Sequence, residues 1–304
     1  MAQVHDSKLQ RLRQWRAGET PGPYEIILFP TNRCNLKCQI CWEREAEVNT
    51  DGAIYNREYE IPDERLLRLV DEAAELGVQW WSFIGGGEPM LCGPVVLEMF
   101  SRIRARGMNG VLHTNGTTFK PGNLERLIEL GWQDMTVSLD GPTPKINDAI
   151  RFKHCFTRAD KHLTRLSALK GGDRRVHPHL ALNVTMTNTN IDKLHQMVEL
   201  ADRLGCVRIG FSRLIVDSYS EAFATTPEQE ARLPDYMLRA RETAERLGIE
   251  HNCDAFLPSG PGNGAHGCAR TQHSGWTDAA CYEVWLTATI VADGKVGPCC
   301  VFYD

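Results

Sequence analysis

EIILFPTNRCNLKCQICW, residues 25–42, runs from a short apolar stretch straight into a loop that carries Cys34, Cys38 and Cys41. Glu25 to Pro30 reads as a buried strand: a short run rich in branched side chains, ended by a proline. Five further runs of this kind follow at Trp80 to Ile84, Gly110 to Thr114, Met135 to Leu139, Leu180 to Met186 and Val207 to Phe211. Between and after them, apolar residues recur at helical spacing near 63–76, 95–106, 124–130, 158–169, 191–204 and 227–247. Such alternation predicts an α/β chain with a parallel sheet covered by helices. Six β-α units are too few to close an eight-fold barrel but enough for a partial (β/α)6 barrel, with reactive groups at the carboxyl ends of the strands.

Three segments are expected. Residues 1–23 form a helical N-terminal extension (Leu9, Leu12, Trp15), residues 24–247 the barrel, and residues 248–304 a small Cys-rich C-terminal module with a hairpin at Asp293-Gly294. A net charge of -5, from 34 basic and 39 acidic residues without long runs of one sign, gives no reason to expect nucleic acid or an anionic membrane as partner. Neither a signal peptide nor a long apolar run is visible, so the expected location is cytoplasmic. Eleven cysteines in a reducing compartment point to metal ligation or redox chemistry rather than to disulfides.

The C-x3-C-x2-C spacing of Cys34, Cys38 and Cys41 supplies three thiolates on one loop, one fewer than a 4Fe-4S cluster normally takes, which leaves an iron open. Zinc motifs more often pair two C-x2-C units. On this loop and its position after the first strand, the chain resembles the radical SAM superfamily over about residues 24–215. The resemblance implies a 4Fe-4S cluster whose open iron chelates S-adenosylmethionine, and reductive cleavage to a 5'-deoxyadenosyl radical. It implies that Ile40 and Trp42 lie near the cofactor. Gly85, Gly86, Gly87 and Glu88, ahead of Pro89, match a GGEP element that binds the methionyl amino group. Asn115, Ser138, Asn183 and Phe211 fall at strand ends where the family holds the rest of the cofactor, and Asp140 where it meets substrate.

Cys268, Cys281, Cys299 and Cys300 resemble the opening of the SPASM and twitch modules, which implies a second 4Fe-4S cluster. The later ligands of those modules are absent from this sequence. Of the remaining thiols, Cys206 reads as a packing residue, Cys92 opens a helix and Cys155 lies in a connection between elements, whereas Cys253 ends an extended run after the last barrel helix and is the expected hydrogen-atom donor. This layout resembles the aminoglycoside-tailoring members, and implies an epimerase of the neomycin C/B type acting on a polar, cationic small molecule. Asp140, Asp254 and Glu283, with Glu43 and Glu45 as further acidic loop residues, are expected to hold its amino groups, and a flavodoxin- or ferredoxin-type protein to supply electrons. A twitch-type dehydrogenase, with the second cluster accepting an electron, is the alternative. A peptide-modifying maturase ranks third, because only some 23 residues precede the first strand, too few for a leader-binding domain.

Overall fold

The computed structural model of the chain describes residues 2–44, 56–258 and 281–299. Nine strands form one sheet: β1 Glu25–Leu28, β2 Trp80–Phe83, β3 Asn109–Thr114, β4 Asp134–Ser138, β5 His179–Met186, β6 Arg208–Arg213, β7 Glu250–His251, β8 Thr287–Ile290 and β9 Val296–Gly297. Their order is β7-β6-β5-β4-β3-β2-β1-β8-β9, and all neighbours are parallel except the β8–β9 pair. From β1 to β7 each strand lies beside the one before it in sequence. That winding in a single direction belongs to a barrel wall, whereas a doubly wound sheet reverses.

All six expected strands form, within a residue or two at each end. The helices are α1 Ala2–Arg16, α2 Asp63–Glu75, α3 Gly93–Ala105, α4 Asn123–Glu129, α5 Pro144–Ile150, α6 Cys155–Leu169, α7 Leu194–Arg203, α8 Pro227–Ala231 and α9 Leu233–Leu247. The helix expected over 227–247 is broken at Arg232, because Pro234 has no N–H to continue the ladder and instead occupies the first turn of α9. Helix α8 has its own start, a capping box in which Thr226 and Gln229 satisfy each other's backbone N–H groups.

One face of the wall is apolar. Leu112, Met135, Val137, Leu180, Leu182, Val184, Ile209 and Phe211 are buried in one core with Val96, Phe100, Ile103, Leu163, Met197 and Met237 of the surrounding helices. Because side chains alternate along a strand, the intervening positions face the concave side. Those of β3 and β4 follow the pattern half-buried, buried, half-buried. Helix α1 closes the amino ends of the strands: Arg11 donates to the carbonyls of Gly22 (2.9 Å) and Gly77 (2.8 Å), and Trp15 Nε1 to that of Trp285 (3.0 Å).

The described parts of residues 248–304 add to the same sheet. Strand β7 extends it beyond β6, and β8 pairs with β1 in the register Glu25↔Thr287. The hairpin expected at Asp293-Gly294 is present, with Gly294 at a φ of 87° that favours glycine and Asp293 Oδ1 accepting from Lys295 N at 3.0 Å.

Candidate active site at the strand carboxyl ends

The Cys34–Cys41 loop leaves β1 and is braced by the glycine ribbon that leaves β2. Gly87 N donates to Thr31 O (2.7 Å) and Glu88 N to Arg33 O (2.8 Å), so the two segments run backbone against backbone. A Cβ on Gly87 would stand 1.8 Å from Arg33 O, and one on Gly85 2.5 Å from the Phe29 ring. These glycines therefore serve the approach of two loops as well as that of any cofactor. Glu43, buried just beyond Cys41, accepts from Gly86 N at 2.8 Å and ties the far end of the loop to the same ribbon.

The Glu88 carboxylate, expected at the methionyl amino group, is buried and turned towards β3. It accepts from Thr114 Oγ1 (2.6 Å), Asn115 N (2.7 Å) and Met90 N (3.1 Å). Burial nevertheless pushes its pKa up, with the donors from Asn115, Thr114 and Met90 acting against it. Asn115 is joined to the cysteine loop: its Nδ2 donates to Asn35 Oδ1 at 2.9 Å, while Asn35 Nδ2 reaches Thr117 Oγ1 at 2.8 Å. Cys34 accepts from Leu36 N at 3.5 Å, and Arg57 grips the loop through the carbonyls of Cys34 (3.4 Å) and Leu36 (3.3 Å).

Burial raises the pKa of all three loop thiols, that of Cys41 to about 11 and that of Cys38 further still. A metal that takes them as thiolates must displace their protons. Among the described residues no three Cys, His, Asp or Glu side chains close on one point as the ligands of a single ion do. Three thiols spread along one loop suit the corners of a cubane cluster better than the tetrahedron of a zinc ion. Ile40 and Trp42 lie half-buried on the same loop.

Ser138, Asn183 and Gly210 are register partners across β4, β5 and β6 and stand side by side on the concave face, where they form a polar shelf. Phe211 does not join them. It pairs with Val184 on the helix-covered face and is buried there, so its neighbour Gly210 is the β6 residue on the shelf. Asp140 is also corrected: fully buried, it accepts from Thr185 N at 2.8 Å and pairs with Arg151 at 2.6 Å, which makes it a structural anchor rather than a substrate contact. His113 was missed by sequence reasoning. It lies on β3 one concave position below Asn115, beside Thr136 of β4, and burial lowers its pKa to about 4, so the imidazole is neutral. The signal available was its place in the alternation of GVLHTN.

Cys253 follows β7 at the same end of the sheet as the cysteine loop. Asn252 fixes it there by continuing the ladder with its side chain: Oδ1 accepts from Phe211 N and Nδ2 donates to Phe211 O, both at 2.8 Å. The thiol is fully buried in the same apolar core as Phe211 and does not face the shelf, and burial, with Asp254 next to it, raises its pKa to about 12. Asp254 itself pairs with Arg241 of α9 at 3.2 Å on the outer side. Glu283 precedes β8 and so lies at the amino ends of the strands, 3.8 Å from Lys8 of α1. Neither carboxylate reaches the shelf, because Asp254 is held on the outer side and Glu283 lies at the opposite ends of the strands. The β8–β9 hairpin brings Cys299 back towards the segment where Cys281 stands, whereas Cys268, Cys300 and Glu45 lie outside the described residues.

Residues 28–201 match the family model of the radical SAM superfamily. Among curated proteins, the PqqA peptide cyclase of Ruegeria pomeroyi is 29% identical over 92% of this chain and 68% of its own length. The mycofactocin maturase MftC of Mycobacterium ulcerans is 28% identical over 70% and 54% respectively. The chain thus spans only part of these relatives. Streptococcus suis SuiB, solved with S-adenosylmethionine bound, shares the fold at a TM-score of 0.69 and 15% identity, over 95% of this chain and 63% of SuiB. No helix among the described residues is long and apolar enough to cross a membrane.

Proposed function

Because the chain belongs to the radical SAM superfamily, we propose that it takes a hydrogen atom from a polar, hydroxyl-rich substrate and returns one from Cys253, inverting a C–H centre without net oxidation. When bound at Cys34, Cys38 and Cys41, a 4Fe-4S cluster and S-adenosylmethionine supply the 5'-deoxyadenosyl radical that removes the first hydrogen. The chain's own residues do the rest. The main chain of Gly85, Gly86 and Gly87, with Asn115, Ser138 and Asn183, holds the cofactor, and the concave face beyond it receives the substrate.

The observation that carries this reading is the place of Cys253: a thiol at the carboxyl end of β7, packed with Ile249 and Leu257, which must turn from that core towards the shelf to reach a substrate. A cysteine donates a hydrogen atom only as the thiol, not as the thiolate. After donation the sulfur radical needs one electron, from a flavodoxin- or ferredoxin-type reductant, and one proton, from solvent, to reset. The remaining polar groups on the concave face, Thr136 and the neutral His113, are neutral and suit the hydroxyls of an aminoglycoside. We assign the C-terminal cysteines Cys268, Cys281, Cys299 and Cys300 to a second cluster, and residues 248–304 to the unit that carries it. In a dehydrogenase that cluster would accept the substrate radical's electron and Cys253 would be dispensable.

A second reading, modification of a peptide, is favoured by the names of the relatives at 29% and 28% identity. Anaerobic turnover in deuterium oxide separates the three, comparing wild type with Cys253→Ala. A neomycin-type aminoglycoside gaining one non-exchangeable deuterium, lost in the variant, is the expected result. Loss of two hydrogens regardless of Cys253 means a dehydrogenase. Inertness towards aminoglycosides, with abortive 5'-deoxyadenosine formation intact, moves the assignment to peptides.

A further inference from the structure

The chain carries a net charge of -5, yet two segments at the carboxyl ends of the strands are strongly basic. Residues 31–44 hold Arg33, Lys37 and Arg44, residues 150–158 hold Arg151, Lys153 and Arg158, and the one carboxylate within either segment, Glu43, is buried. Two carboxylates that border them are engaged. Glu60 accepts from Arg33 Nε at 2.9 Å, and Asp148 takes the N–H groups of His154 and Phe156, both at 2.8 Å.

The two segments form one surface, because the main chain joins them: Gln39 N donates to Ile150 O at 2.8 Å. On one side of that bond Lys37 and Gln39 are exposed, and on the other Phe152, Lys153 and His154. Phe152 is 41% exposed, an apolar ring inside a basic rim. The turn that presents it is rigid. His154 adopts a φ of 61°, which a residue other than glycine keeps only where its surroundings impose it, and the two bonds to Asp148 impose it here. An aromatic side chain on a rigid turn loses little freedom on docking, and a rim of one sign speeds the encounter with a partner of the other. What distinguishes this surface from any other basic patch is the residue between Lys37 and Gln39. A partner seated on it touches main chain on both sides of Cys38, which gives an electron a short covalent route to the cluster.

We propose that Lys37, Gln39, Phe152, Lys153 and Arg158 form the docking surface for a small acidic electron-carrier protein of the flavodoxin or ferredoxin kind. One electron leaves the docked carrier and enters the cluster by way of Cys38, with no proton moved. The inference rests on the cluster-binding reading above and needs no knowledge of the substrate.

The test is stopped-flow reduction of the reconstituted full chain by a reduced bacterial flavodoxin and, in parallel, by a reduced bacterial ferredoxin, with dithionite as a reductant that needs no docking surface. Wild type is compared with Lys153→Glu/Arg158→Glu, with Phe152→Ala and with Arg175→Glu/Arg246→Glu, which makes the same change of charge ahead of β5 and β7, at the amino ends of the strands. None of these residues lies on the cysteine loop. At low salt Lys153→Glu/Arg158→Glu should take electrons from the carrier about tenfold more slowly than wild type and bind it more weakly in calorimetric titration, with its dithionite rate unchanged. Added salt should slow wild type more than this variant, because it screens charges that the variant has lost. Phe152→Ala should also slow the carrier reaction and leave its salt dependence in place, and the amino-end variant should match wild type.

Equal carrier rates in wild type and Lys153→Glu/Arg158→Glu overturn the proposal, as does equal slowing in the amino-end variant. Slowing with dithionite as well overturns it too, since the residues would then serve the cluster and not a partner. Should the double variant fail to load a cluster, Phe152→Ala decides, and a carrier rate equal to wild type overturns the proposal. If neither carrier reduces a wild type that dithionite does reduce, the proposal falls and the cluster-binding reading stands. A wild type that loads no cluster removes both.

Discussion

His113 and Glu88 show how far a side chain's role follows from its surroundings. The unfolded chain protonates a histidine near its ordinary pKa of 6.5, whereas folded His113 resists down to about 4. Between those values the unfolded state binds more protons, so folding stability falls as pH drops through this window and recovers above it. At pH 5 the penalty is at most about 2 kcal/mol, less in so far as solvent enters the concave side. His113→Gln should remove that part of the pH slope in urea unfolding between pH 7 and pH 5; parallel slopes in variant and wild type would mean that the ring titrates normally. Glu88→Gln replaces an acceptor of three hydrogen bonds with a group that is half donor. A loss of about 1–3 kcal/mol of stability is expected, with the S-adenosylmethionine spectral change retained in the folded fraction. A carboxylate that bound the cofactor directly would give the opposite pattern, stable protein and lost binding.

At the scale of elements, the strand and helix runs were legible because burial imposes periods of 2 and 3.6 on the apolar residues, and the cysteine loop because ligand spacing is local. What escaped was set by partners distant in sequence. Strand β8 is only four residues long and is fixed by pairing with β1, some 260 positions away in sequence, while Phe211 and Asp140 took roles decided by which face of their segment met the helices. The GGG ribbon was legible as a close-approach element, yet its nearest partner is the cysteine loop. Gly87→Ala therefore tests an interface between elements: its Cβ cannot coexist with Arg33 O, so the loop must shift. Iron bound per chain after anaerobic reconstitution should fall clearly below wild type, while the far-UV circular dichroism stays close to it. Full iron loading in this variant would show that the loop tolerates displacement.

Taken as a whole molecule, the barrel wall offers two ends with different tasks. The carboxyl ends gather Cys34, Cys38, Cys41, the glycine ribbon, the concave shelf and Cys253, whereas α1 seals the amino ends through Arg11, Trp15 and Lys8. Cys281 stands on the segment leading into β8, and the hairpin carries Cys299 back towards that amino end. A second cluster there would be separated from the first by the length of the wall, and would hold its metal independently of Cys34, Cys38 and Cys41. Replacing those three cysteines by alanine should then leave about four irons per chain after reconstitution, with a spectrum indifferent to S-adenosylmethionine because every iron is ligated by protein. Replacing Cys281 and Cys299 should have the converse effect, with the remaining signal responding fully to S-adenosylmethionine. Should the triple variant bind no iron at all, the C-terminal cysteines do not form a cluster, and an electron-accepting dehydrogenase loses its acceptor while the Cys253 reading stands.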